Sequence, residues 1–227
     1  MWVGALALLA LAATLAAPPS VATQCGSAYD DLQAKTFWFR SSDGVRLNGA
    51  ELGRGRTGVV LANQHNDTLC SWLDYAQVLS RNGFRVLAFD FRNTGLSGRT
   101  ARPRLDLDVA AASAELRRRG ATRVFVVGAS EGGYVAVDAG ARLRPQPAGV
   151  VDISGPGDAR KLHAPLLVIT AESDPFLDAA GARKLVREAG STSKRAAIFP
   201  GSWHGISLLT SAPYRARVSA TLLAFLR

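Results

Sequence analysis

Short apolar runs alternating with helical patterns constrain the fold of this chain more than any other feature. Val59-Val60-Leu61-Ala62, Phe84 to Phe89, Val124 to Val127, Val150 to Ile153 and Leu166 to Thr170 each have the length and apolarity of strands buried on both faces. Between them, helical spacing marks Trp72 to Asn82, Leu105 to Arg119, Tyr134 to Leu143, Leu177 to Ala189 and Pro213 to Leu226. Gly83, Gly120 and Gly190 are placed as C-terminal stops. Such a series predicts α/β architecture: a mainly parallel central sheet with helices on both faces, joined by right-handed crossovers. Ala196 to Phe199 adds a strand. Thr36 to Arg40 and Val45 to Leu52, joined by Ser41-Ser42-Asp43-Gly44, predict an antiparallel N-terminal hairpin. In sheets of this kind, reacting groups collect at the carboxyl ends of the strands.

One of those ends carries a distinctive turn. Arg123-Val124-Phe125-Val126-Val127 runs directly into Gly128-Ala129-Ser130-Glu131-Gly132-Gly133, and a helical pattern follows. A serine on a tight strand-to-helix turn needs small residues two before and two after it, because the backbone passes close there; Gly128 and Gly132 meet that need. The turn also sets Ser130 at a helix N-terminus, where N–H groups and the helix dipole favour developing negative charge. A serine hydroxyl becomes a nucleophile only when a base takes its proton, and three histidines are available: His65, His163 and His204. The order Ser, acid, His leaves His204, after the last strand, or less favourably His163. For the acid, Asp174 fits best, at the end of a strand and just before Pro175. Glu172, Asp178 and Asp152 are its rivals.

With these residues in place, the chain resembles the α/β-hydrolase superfamily over nearly all of its predicted mature length. The motifs are GASEGG around Ser130, TAESD ending at Asp174, SWHG around His204, and Phe89-Asp90-Phe91-Arg92-Asn93-Thr94-Gly95-Leu96-Ser97, similar to the family's D-x-R-G-x-G-x-S loop. The resemblance implies an oxyanion hole made by the backbone N–H of Glu131 and one from the loop after the Val59 strand. Members commonly carry His-Gly-x in that loop, whereas this chain has Asn63-Gln64-His65. Alignment through Trp72 puts the donating N–H at His65. Ser154 to Ala164 is too short for the helical cap that many members insert, so a lidless, open site is expected, suited to an acyl chain or a surface-presented ester. The implied activity is that of a serine esterase acting on carboxylic esters or thioesters through an acyl-serine intermediate, with no cofactor and no metal. The same triad serves peptidases and acyltransferases, and a catalytically silent fold acting as a secreted binding module is the reading from another class.

Composition limits the remaining choices. At 227 residues and 48% hydrophobic, the chain suits one globular domain with a sufficient core. The formal charge of +9 raises a nucleic-acid reading, but the basic residues are scattered. Their one cluster, Arg117-Arg118-Arg119, ends a predicted helix, where cations suit the dipole, so no nucleic-acid partner is expected. Residues 1–22 contain no charged side chain, and an apolar run from Val3 to Ala17 precedes Ser20-Val21-Ala22. This predicts a signal peptide over 1–22, cleaved before Thr23, a single domain over 23–227, and a secreted, periplasmic or cell-envelope protein. The run is short of the roughly 20 apolar residues of a spanning helix, so no stable membrane insertion is expected once the signal is removed. Export makes Cys25 and Cys70 a candidate disulfide, tying the mature N-terminus to the loop after the first buried strand.

Overall fold

The computed structural model describes residues 16–227; residues 1–15 of the predicted leader lie outside that range. Eight strands form one sheet: β1 (Lys35–Arg40), β2 (Arg46–Leu52), β3 (Thr57–Ala62), β4 (Arg85–Phe89), β5 (Arg123–Ala129), β6 (Gly149–Ile153), β7 (Leu166–Ala171) and β8 (Lys194–Phe199). Their order across the sheet is β1-β2-β4-β3-β5-β6-β7-β8. β1 and β2 form the expected antiparallel pair, and β2 meets β4 antiparallel. From β4 to β8 every neighbouring pair is parallel.

Seven helices surround the sheet among the described residues: α1 (Val21–Cys25), α2 (Leu73–Arg81), α3 (Leu105–Arg118), α4 (Glu131–Arg142), α5 (Ala179–Glu188), α6 (Ser207–Thr210) and α7 (Arg215–Leu226). None is long and apolar enough to cross a membrane. Two apolar layers follow from the two-residue period of a strand. Val60, Ala62, Val124 and Val126 face α3, α4 and α5, where they meet Leu116, Val135, Ala136 and Leu185. Val59, Leu61, Phe125 and Val127 face the opposite way, onto Leu73, Leu79, Val218 and Leu222 of α2 and α7. The uninterrupted apolar runs in the sequence are therefore strands covered on both sides.

Two helix ends depart from expectation. Helix α4 begins at Glu131 rather than Tyr134, because the glycines after Ser130 are already helical. Gly190, placed as a C-terminal stop for α5, does not end it: the helix ends at Glu188 with Ala189 extended. Gly190 lies instead against the carbonyl of Arg160, where a Cβ would collide. Gly83 and Gly120 do adopt positive φ, 86° and 102°, after α2 and α3. The Arg117-Arg118-Arg119 cluster is largely consumed in structure: Arg118 and Arg119 pair with Glu115, and Arg119 also reaches Glu51.

Buried charge supports the loops at the carboxyl edge. Arg92 is fully buried, forked onto Asp108 at 2.7 Å and reaching Asp43 at 2.6 Å. Asp90 joins a strand and two loops: it accepts from Asn48 Nδ2 of β2 at 2.7 Å, Leu69 N at 2.8 Å and Leu96 N at 3.0 Å. Asp152, at the end of β6, accepts from Gly155 N at 2.7 Å, but its other oxygen has no partner. Burial, helped by the nearby Asp174 carboxylate and opposed by Gly155 N–H, pushes its carboxyl up to about 8.

Cys25 and Cys70 are joined, with their Cα atoms 5.4 Å apart. The bridge ties α1 to the 3-10 turn Leu69–Trp72. Ser20 caps α1, whose first residue Val21 is buried, and upstream the carbonyls of Ala16 and Pro18 accept from Trp38 and Thr36. A cut before Thr23 would fall inside α1 and remove Val21 from the core.

Two outcomes are expected. Replacing both cysteines by serine should cost about 4 kcal/mol in a denaturant titration, the chain-entropy value for a closed loop of 45 residues; an unchanged midpoint would show that the bridge adds nothing. For Asp152, the native state holds a proton that the unfolded chain has already released between pH 4 and pH 8, so stability falls as pH rises through that window. Melting temperatures at pH 5 and pH 8 should show this fall, with Asp152→Asn flattening it; a slope unchanged in the variant would assign it to another group.

Candidate active site

Ser130 sits at the carboxyl end of β5, in the turn before α4, with φ 52° and ψ −118°. For a residue with a side chain this is strained backbone, of order 1–3 kcal/mol. Neighbours on both sides hold it there. Ser130 N donates to Ile153 O at 2.8 Å, and Ser130 O accepts from Gly133 N at 2.9 Å. A Cβ on Gly128 would meet the Gly132 carbonyl, and one on Gly132 would meet the carbonyls of Ala62 and Asn63. The two glycines predicted from spacing are thus required by close backbone approach.

The three residues singled out from the sequence meet at this edge. His204 Nε2 lies 2.8 Å from Ser130 Oγ, and His204 Nδ1 lies 3.0 Å from both carboxylate oxygens of Asp174. With a carboxylate at Nδ1, that nitrogen carries the proton and Nε2 is left as the acceptor for the serine hydroxyl. Asp174 is fully buried as a side chain, while His204 is 24% exposed. The carboxylate is fixed from behind: Asp174 Oδ1 accepts from Phe176 N at 2.8 Å and Leu177 N at 3.0 Å. The Phe176 ring lies 4.7 Å from the imidazole, centroid to centroid.

The rivals are placed elsewhere. Asp178 caps α5 by accepting from Gly181 N, Glu172 is exposed, and Asp152 is buried against Gly155 with no bond to an imidazole. His163 precedes β7, at the amino edge of the sheet, with Nδ1 3.3 Å from Gly190 O.

The Asn63-Gln64-His65 segment follows β3 beside the turn. Asn63 Nδ2 donates to Phe89 O at 2.6 Å. Among the described residues, neither His65 N nor Glu131 N, the first N–H of α4, donates to a protein acceptor. The side chains of the same two residues pair across the opening, His65 Nδ1 to Glu131 Oε2 at 3.1 Å. That contact joins positions 66 apart, and only the turn's final geometry brings them together. Asp90 is also part of the surroundings, since its bond to Leu69 N anchors the far end of the same loop. No cluster of three or more His, Cys, Asp or Glu side chains suited to a metal occurs among the described residues.

Among the described residues, the large apolar side chains left exposed are Leu96, Tyr134, Phe176 and Trp203. Each lies on a segment at the carboxyl edge: the loop after β4, the first turn of α4, the loop after Asp174 and the loop before His204.

Known proteins share this fold at low sequence identity. The family described as serine aminopeptidase, S33, matches residues 156–208, the stretch with Asp174 and His204. A search of curated protein sequences finds no match. Among solved structures, an esterase of Pyrococcus furiosus superposes with a TM-score of 0.76 at 16% identity, covering 87% of this chain and 94% of that one. A monoacylglycerol lipase of Paleococcus ferrophilus gives 0.69 at 16% identity, over 79% of this chain and 98% of that one. A hydrolase of Pseudomonas aeruginosa gives 0.72 at 17%, over 85% and 98%. Strand order, the turn at Ser130 and these superpositions together make the chain an α/β-hydrolase by fold, with no separate cap domain among the described residues.

Proposed function

We propose that the protein is an exported serine hydrolase that cleaves carboxylic esters or thioesters through an acyl-serine intermediate. The observation that carries this reading is the unbroken relay from Asp174 through His204 to Ser130, at 3.0 Å and 2.8 Å. In the first half, Ser130 Oγ attacks the carbonyl carbon while His204 Nε2 takes the hydroxyl proton. Asp174 holds the imidazole in the required tautomer and stabilises its charged form. The oxyanion is received by the N–H groups of Glu131 and His65, which are free to donate, with the α4 N-terminus adding its dipole. Collapse breaks the ester bond, and the imidazolium gives its proton to the departing alcohol or thiol. In the second half, water loses a proton to His204 and attacks the acyl carbon. Collapse then releases the carboxylic acid and returns the proton to Ser130.

The substrate class follows from what lines the opening. Among the described residues no cap element covers Ser130, and Leu96, Tyr134, Phe176 and Trp203 offer exposed apolar surface at the same edge of the sheet. The exposure of Phe176, 65%, and its ring against the imidazole support a role for it in contacting the acyl or leaving group. This favours esters of apolar acids over small charged substrates. The Cys25–Cys70 bridge supports export, because disulfides persist in oxidising compartments.

Peptide hydrolysis is the second reading, favoured by the family match over residues 156–208 and by a carboxylate, Glu131, that could meet a substrate ammonium at the opening.

Wild-type protein should turn over p-nitrophenyl esters, with kcat/KM rising from acetate to a medium chain, and should be labelled by a fluorophosphonate probe. Ser130→Ala should lose both, by at least about 10³-fold in turnover, with an unchanged melting temperature. Unaltered activity in Ser130→Ala would remove the mechanism, and a preference for aminoacyl p-nitroanilides would select the peptidase reading.

A further inference from the structure

We infer that Gln64 is a positioning residue that clips the loop carrying His204 onto the loop carrying the His65 N–H. This rests on the acyl-transfer reading above and adds to it a residue outside the triad and the oxyanion donors. Gln64 occupies the place where the resemblance leads one to expect glycine, so its side chain needs a reason.

The reason is a bond across the site. Gln64 Oε1 accepts from Ile206 N at 3.0 Å, joining segments 142 residues apart in the sequence. Ile206 is two residues beyond His204. Between them, Gly205 has φ 56°, and a Cβ there would overlap Gln64 Oε1. Gly205 is therefore glycine for two reasons, its left-handed backbone and the close passage of the Gln64 amide.

The loop's other ties run to the segment after β7 and to the turn: Ser173 N donates to Gly201 O at 2.9 Å, and the imidazole itself meets Asp174 and Ser130. His204 lies between two left-handed glycines, Gly201 at 86° and Gly205, and Ser202 and Trp203 are exposed. On the far side Tyr214 Oη donates to Pro200 O, and after the histidine Ser207 Oγ donates to His204 O at 2.6 Å. The Gln64 bond is the tie that fixes the loop to the strand edge where the oxyanion donor sits. Gln64 also shapes its own loop, since its carbonyl accepts from Asp67 N at 3.2 Å. One residue thus sets the base and the oxyanion donor relative to each other. It touches neither substrate nor reacting atoms, so its removal should lower kcat through misplacement and leave KM nearly alone.

The test compares Gln64→Met, of similar length without the acceptor, with Gln64→Glu, which keeps an oxygen for Ile206 N. Gln64→Met should lower kcat on a p-nitrophenyl ester roughly 10–100-fold with KM within about 3-fold and the melting temperature unchanged. Gln64→Glu should recover most of the loss. Amide exchange at Ile206 should be faster in Gln64→Met than in wild type. Gly205→Ala should lower kcat in wild type by more than it does in a Gln64→Ala background, where the amide no longer obstructs the methyl group. Wild-type kcat in Gln64→Met, or equal losses in the Met and Glu variants, would overturn the positioning role. Should wild type itself be unlabelled by the fluorophosphonate probe, the acyl-transfer reading fails. The clip is then judged by Ile206 exchange, and equal exchange in wild type and Gln64→Met would overturn it.

Discussion

The close approach of backbone to backbone between β5 and α4 is the constraint on which the rest of the site depends. Gly132 must pass against the carbonyls at the end of β3, and Gly128 must admit the carbonyl of Gly132, for the chain to turn from strand to helix within one residue. That residue is Ser130, held at φ 52° by bonds from β6 and from its own helix. The strain is small beside the cooperative packing of a sheet buried on both faces. What it achieves is a hydroxyl projecting from a rigid edge, with N–H groups beneath it that have no helical acceptor. The imidazole and the loop after β3 then need only to be brought to a fixed point.

Parallel strands supply that convergence. Because β3 to β8 run the same way, the segments after β3, β4, β5, β7 and β8 all emerge at one edge. These segments would be free to wander were they not pinned, and the pins are polar and largely buried. Asp174 is bound by two backbone N–H groups before it meets the imidazole, so its orientation is set independently of the histidine. Asp90 joins β2, the loop after β3 and its own loop, and Arg92 is balanced by two carboxylates. Buried charges of this kind are costly unless fully paired, and pairing fixes geometry where apolar packing would tolerate sliding. Asp152 behaves otherwise. Burial first, and the nearby Asp174 carboxylate second, hold its carboxyl well above the usual carboxylate range.

Much of this was legible in the chain because it follows from local rules. Unbroken apolar runs predicted doubly covered strands; β3 and β5, with alternate residues entering opposite layers, are just that. Gly128 and Gly132 marked the turn because only glycine tolerates such approach. The order Ser130, Asp174, His204, each after a strand, narrowed the relay to these residues and their rivals Asp152, Glu172, Asp178 and His163. Helix ends were less legible: Gly190 has the composition of a stop, but its contact with the Arg160 carbonyl comes from a distant segment. The short helix α6 has too few residues to show a period.

The sequence by itself determined the layers, the strand directions and a short set of candidates for the relay, because periodicity and chain order are properties of neighbours along the chain. Only the tertiary structure decided between Asp174 and Asp152, paired His65 with Glu131, and gave the side chain of Gln64 a partner at Ile206. Those contacts span 30, 66 and 142 positions, and hydrogen bonds act over about 3 Å. No local pattern encodes a distance that exists only after the sheet has brought its strand ends together.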